Sequence, residues 1–152
     1  MEKKMNNKGF SLVELIIVVA IMAVLIGVLA PAYLQYVEKS KKTKDCSAIG
    51  SVMDAIEIVA ADPAITWGSE AFNVKVEESG ATYSNNTTVK NAVEEIVKAA
   101  NVKITGTWLA TNQIEFKAER DTNGNVVFTV TGSGIQKSDI AKISQSLEAR
   151  FE

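Results

Sequence analysis

The chain has no histidine, one cysteine and two prolines in 152 residues. Without histidine it lacks the side chain that most often acts as a general base or metal ligand near neutral pH. A single thiol, Cys46, closes no intrachain disulfide and leaves no Cys-x-x-Cys pair for redox or zinc chemistry. No glycine-rich phosphate loop is present. No catalytic constellation is visible, nor any set of residues that calls for a metal or a cofactor, so the expectation is a protein that is not an enzyme. Strong charge of either sign is also missing, with a net of −2. Residues 33–152 carry 13 Lys/Arg against 16 Asp/Glu, a mildly acidic balance without the basic footprint of a nucleic-acid binder.

What the chain does have is a long apolar run. From Leu15 to Ala32 there is no charged residue, and that length is close to what a helix needs to cross a bilayer. Three lysines precede it (Lys3, Lys4, Lys8) and four follow (Lys39, Lys41, Lys42, Lys44), so flanking charge does not set its orientation. The run exceeds the apolar core of an ordinary secretory signal, and no Ala-x-Ala site with a composition break ends it. One carboxylate, Glu14, stands at its start. A carboxylate in an apolar span is costly, about 2.5–3.5 kcal/mol at a helix centre, so it is expected to have a partner and a task.

The helix is predicted to continue past the span. Apolar residues recur at Cys46, Ile49, Met53, Ile56 and Ala60, with Val52 and Val59 beside them, in steps of three and four. Lys44, Asp45, Asp54 and Glu57 are placed off that face. Asp62-Pro63 ends the helix, because the residue before proline is pushed out of helical geometry. A helix over residues 10–61 would be ~78 Å long. Its first half is apolar all round. Its second half has one stripe to bury against a soluble domain. Pro31 lies inside it, opposing the carbonyl of Gly27.

Beyond the helix, Phe72, Val74 and Val76 alternate as a weak strand before Ser79-Gly80 and Ser84-Asn85-Asn86 break the pattern. Residues 88–100 are predicted helical. Three strands are expected over 102–109, 113–119 and 125–131, joined by turns at Ala110-Thr111-Asn112 and Asp121-Thr122-Asn123-Gly124. Asp121-x-Asn123-x-Asn125 opens like a calcium loop, but the required glycine and glutamate would fall at Val126 and Gly132, so it is read as a turn. Ser138 is placed as the cap of a last helix, with Ile140, Ile143, Leu147 and Phe151 on one face. Trp67 and Trp108 are assigned to packing, Cys46 to a buried site, and the lysines at 39–44 to a solvated face.

Lys8-Gly9-Phe10-Ser11-Leu12-Val13-Glu14, the run after it and Pro31-Ala32-Tyr33 together resemble the N-terminus of the type IV pilin (prepilin) family. The resemblance is closest over residues 8–37. It implies an α+β fold in which a long N-terminal membrane and polymerisation helix packs on a small head with an antiparallel sheet and short helices. It implies four segments: a leader (1–9), a transmembrane half-helix (10–32), an amphipathic half-helix (33–62) and a head (63–152). Prepilin peptidase would cut after Gly9, and Phe10 would be N-methylated. Glu14 would pair with a neighbour's new amine, so that neither charge stays uncompensated. Pro31 would correspond to the family's proline at the end of the span.

The same resemblance implies a structural subunit stored in the membrane and polymerised into an extracellular filament. Its partners would be copies of itself, prepilin peptidase, an assembly platform, an ATPase and the membrane. Two alternatives stand beside this reading: a pseudopilin of a type II secretion system, and a single-span protein with a ligand-binding head. The sequence departs from the family at two points. The residue eight before Pro31 is Ala23 rather than glycine, and the paired C-terminal cysteines of many relatives are absent. The head is therefore expected to be held by its core alone.

Overall fold

The structure is a computed structural model that describes residues 9–68, 70–98, 101–106, 113–131, 137–141 and 145–151. The leader residues 1–8, Trp108, the turn at 110–112 and Ile143 lie outside the described residues. The element order is α1 (Leu12–Ala61), β1 (Phe72–Glu77), β2 (Gly80–Ser84), α2 (Thr87–Ile96), β3 (Ile114–Arg120), β4 (Val126–Val130), α3 (Lys137–Ala141) and α4 (Gln145–Glu148). The chain divides into two units, Met1–Val37 and Glu38–Glu152.

In the first unit the described backbone is helical from Leu12 onward, including Gly27 and Pro31. Proline has no N–H to give the Gly27 carbonyl, yet the helix is not interrupted. No side chain of the span is buried.

The second unit is built on the amphipathic part of α1. Ile49, Val52, Met53, Ala55, Ile56 and Val59 are buried and share one core with the sheet. The sheet has the order β2-β1-β3-β4, antiparallel throughout. Alternation gives each strand a buried face: Phe72, Val74 and Val76 on β1, Ile114, Phe116 and Ala118 on β3, and Phe128 on β4. Register sets these in rows, with Val74 opposite Phe116 and Ala118 opposite both Phe72 and Phe128. Phe116 meets Phe128 and Phe151 edge to face, at 6.1 and 5.7 Å.

The end of α1 is fixed from two sides. Asp62 Oδ1 accepts the Ala64 N–H at 2.8 Å. Arg120 donates to the Ala60 carbonyl and lies over the Trp67 ring at 5.8 Å, so a cation sits on the negative end of the helix.

Several expectations are corrected. Gly80–Ser84 is a strand and not a break: Glu77 pairs with Gly80 across a two-residue turn, and Gly80 takes the positive φ of 141°. α2 stops at Ile96 instead of reaching 100. Asn86 caps its start by accepting the Val89 N–H at 3.1 Å, and Val97 is already extended. Residues 102–106 are not a strand, although Val102 and Ile104 are buried. Ser138 lies inside α3 rather than at its cap. Asp45 belongs to the buried face of α1, where it is 0% exposed, and Cys46 beside it is half-buried.

Candidate assembly site

The sequence places four residues in this site: Gly9, Phe10, Glu14 and Pro31. The structure puts the first three around one helix start. Gly9 and Phe10 are outside the helix and open; a side chain added at Gly9 would meet nothing within 4 Å, and Phe10 is 86% exposed. Ser11 follows as the cap. Its hydroxyl accepts the Val13 N–H at 3.3 Å, and its carbonyl accepts the first helical bond, from Leu15, at 3.2 Å. Glu14 Oε2 accepts the Ser11 N–H at 2.9 Å.

Ser11-x-x-Glu14 is thus a capping box, which satisfies donors that a helix start leaves unpaired. Its Ser-x-x-Glu spacing is a local signal already present in the sequence. The other carboxylate oxygen, Oε1, has no hydrogen-bond partner among the described residues. Glu14 is held locally on one side and open on the other, at the positive end of the helix dipole.

Pro31 is not brought to that cluster. It sits 17 residues further along α1, within the same exposed apolar surface. From Leu15 to Ala32 this surface carries no charge, and every side chain in it is exposed. The large side chains from Leu15 to Leu29 are 42–71% exposed, so each forgoes part of the ~1.5–3 kcal/mol that full burial gives, and the surface needs lipid or other copies around it.

Two polar clusters in the second unit were not legible from the sequence. Asp45 Oδ1 accepts Thr105 N–H at 2.9 Å and Thr105 Oγ1–H at 2.8 Å, and Oδ2 accepts Gly106 N–H at 2.8 Å. This buried carboxylate pins the 101–106 segment to α1. Arg150 donates to Asp54 Oδ1 and Glu57 Oε1, both at 2.7 Å, and lies over the Phe128 ring at 5.8 Å. Burial pulls its guanidinium toward neutrality, but the hydrogen bonds it donates to Glu57 and Asp54 outweigh this and raise its pKa. The C-terminal region is therefore clamped to α1 by an ionic fork, a correction to the expectation of a core acting alone.

Cys46 lines an open groove of about 390 Å³ with Thr43, Ser47 and Arg150. Burial, and then the neighbouring Asp45 charge, push its thiol pKa up, which keeps it protonated and unreactive. Among the described residues no group of three or more Cys, Asp or Glu could hold a metal ion.

Residues 4–30 match the prokaryotic N-terminal methylation motif. Fimbrial protein EcpC of Eikenella corrodens is 30% identical over 103 residues, which cover 68% of this chain and 67% of that one. Fimbrial protein Q of Moraxella bovis is 27% identical over 121 residues, 80% of this chain and 77% of its own. The type IV major alpha-pilin of Moraxella bovis is 32% identical over 82 residues, 54% of this chain and 52% of its own. No solved structure matches.

Proposed function

The chain belongs to the type IV pilin family, as a structural subunit anchored in the membrane before it enters an extracellular pilus, and we propose that Gly9-Phe10-Ser11-x-x-Glu14 is its processing and assembly site. Prepilin peptidase adds water across the Gly9–Phe10 amide. The leader 1–9 departs with a Gly9 carboxylate, and Phe10 keeps an amine. Methylation of that amine takes a methyl group from a donor held by the modifying enzyme and releases one N–H proton. Segments 10–32, 33–62 and 63–152 then act as polymerisation half-helix, amphipathic half-helix and head.

The observation that carries this reading is the half-occupied carboxylate of Glu14. Oε2 is held by Ser11 N–H, which fixes the side chain, while Oε1 is left for a charge from outside the chain. A neighbour's Phe10 amine fits, because in a water-poor helical core each charge relieves the other. Pro31 contributes by leaving the Gly27 carbonyl without its usual donor, a place where the helix can loosen on repacking. An assembly platform and an ATPase complete the partners this role requires. The test is intact-mass analysis of filament material. Mature protein should begin at Phe10 and carry one methyl group. Retention of residues 1–9 in filaments would overturn the assignment.

A further inference from the structure

The lysines that follow the span have no role in the assembly site. Residues 38–44 hold Glu38 against Lys39, Lys41, Lys42 and Lys44, a net of +3, whereas residues 45–152 sum to −6. Positive charge is thus concentrated in seven residues at the start of the second unit. Lys41 pairs with Glu38 at 3.2 Å, and Lys39, Lys42 and Lys44 have no carboxylate partner among the described residues. Asp45, the next acid along, has both oxygens taken by Thr105 and Gly106. That latch brings in the 101–106 segment, whose exposed Lys103 adds to the same end of the unit.

We propose that Lys39, Lys41, Lys42 and Lys44 form a collar that binds anionic phospholipid headgroups of the leaflet on the head side while the subunit is stored in the membrane. Direction is the first argument. At about 100° of turn per residue the four side chains are spread around the helix, Lys39 and Lys44 exposed and Lys41 and Lys42 half-buried. A neighbouring protein would meet one side, whereas a lipid surface surrounds the helix. Chain order is the second. The apolar run is followed by Tyr33 and Tyr36, 66% and 72% exposed, then by the lysines, the sequence of aromatic belt and basic flank found where a helix leaves a bilayer. Long lysine stems let the charges reach headgroup phosphates.

The proposal rests on membrane storage of the subunit, and its test reads lipid contact rather than filament formation. Full-length protein carrying Cys46→Ser and Ser40→Cys is spin-labelled at residue 40 and reconstituted sparsely in vesicles. One set is phosphatidylcholine alone and the other contains phosphatidylglycerol. Accessibility to a neutral water-soluble relaxation agent should fall several-fold in the anionic vesicles, and high salt should remove the difference. Replacing the four lysines by glutamine should remove it at low salt. If that variant misfolds by circular dichroism, the salt arm on the unaltered lysines decides alone. Equal accessibility in both lipids would overturn the proposal. So would protection in neutral vesicles that appears at high protein density and vanishes on dilution, since that assigns the collar to a neighbouring copy.

Discussion

Helix α1 carries one decisive carboxylate in each unit, and the two are treated in opposite ways. Asp45 is buried and takes donors on both oxygens from residues 60 and 61 positions away. Glu14 is exposed and takes one donor from three positions away. The apolar residues follow suit. Ile49, Val52, Met53 and Ile56 are 0% exposed, whereas the large side chains from Leu15 to Leu29 are 42–71% exposed. A carboxylate saturated from far along the chain fixes tertiary structure. One held only by its own helical turn keeps its orientation yet can take a new partner.

The largest effect should come from the unsaturated carboxylate. Glu14→Gln keeps size and the capping acceptor but loses the charge. Cleaved subunit should reach the membrane at normal levels, since removing a charge from an apolar span eases insertion. Filaments should be few or absent when the variant is the sole subunit, because each contact would leave an unpaired amine at about 3–5 kcal/mol. Filament yield by electron microscopy, against membrane levels by immunoblot, decides it. Abundant filaments would make apolar helix packing the main driving force and would erase the distinction drawn between Glu14 and Asp45.

At Asp45 the loss should appear in stability instead. Asp45→Ala strands the Thr105 and Gly106 donors, at a cost of about 2–4 kcal/mol. Asp45→Asn keeps an acceptor for Thr105 but turns an amide N–H₂ toward Gly106 N–H, and should lose about 1–3 kcal/mol. Both are read from urea unfolding of the full chain in detergent. A loss under about 0.5 kcal/mol for the alanine variant would mean the latch contributes little beyond the surrounding apolar core.

Next in size is the ionic fork. Arg150→Met keeps apolar contact with Phe128 while removing the ion pairs to Asp54 and Glu57. Those carboxylates are 64% and 51% exposed, so screening limits the loss to about 1 kcal/mol. Added salt should shrink the gap between parent and variant melts. A gap insensitive to salt would assign the effect to packing rather than charge.

How much of this was legible follows from how local each signal is. The span, the end of α1 at Asp62-Pro63, β1, β3 and β4 rest on periodicity and breakers within a few residues, and all can be read from the chain. The Gly9-to-Glu14 pattern is local too, and so is its capping box. Asp45 could not be placed, because its burial depends on donors that fold back from residues 105 and 106. A charged residue one step from an apolar stripe reads as solvent-facing until those donors are known. Gly80 failed for the opposite reason: glycine marks a break by propensity, but its positive φ also lets a two-residue turn close a hairpin. Arg150 lies 93 and 96 positions from its partners, beyond any spacing rule.

The smallest effect at neutral pH should come from Tyr83, whose ring stacks on Phe72 at 5.6 Å. Its hydroxyl is buried with no hydrogen-bond partner among the described residues. Burial first, and the Glu94 charge second, push its pKa up to about 12. The folded state thus favours the neutral phenol. Below about pH 10 the phenol is neutral folded and unfolded, so that stability is intact. Between about 10 and about 12 the unfolded chain ionises this tyrosine before the folded one does, and stability falls as pH rises. Tyr83→Phe removes both the unpaired hydroxyl and this proton. Near neutral pH the variant should match the parent within about 1 kcal/mol, on the stabilising side, because an unsatisfied buried group is gone. Through the alkaline window it should lose stability less steeply. Melts of both proteins at neutral pH and across that window give the comparison. Parallel alkaline limbs would show that Tyr83 ionises alike in both states, with its hydroxyl reaching water in the folded head.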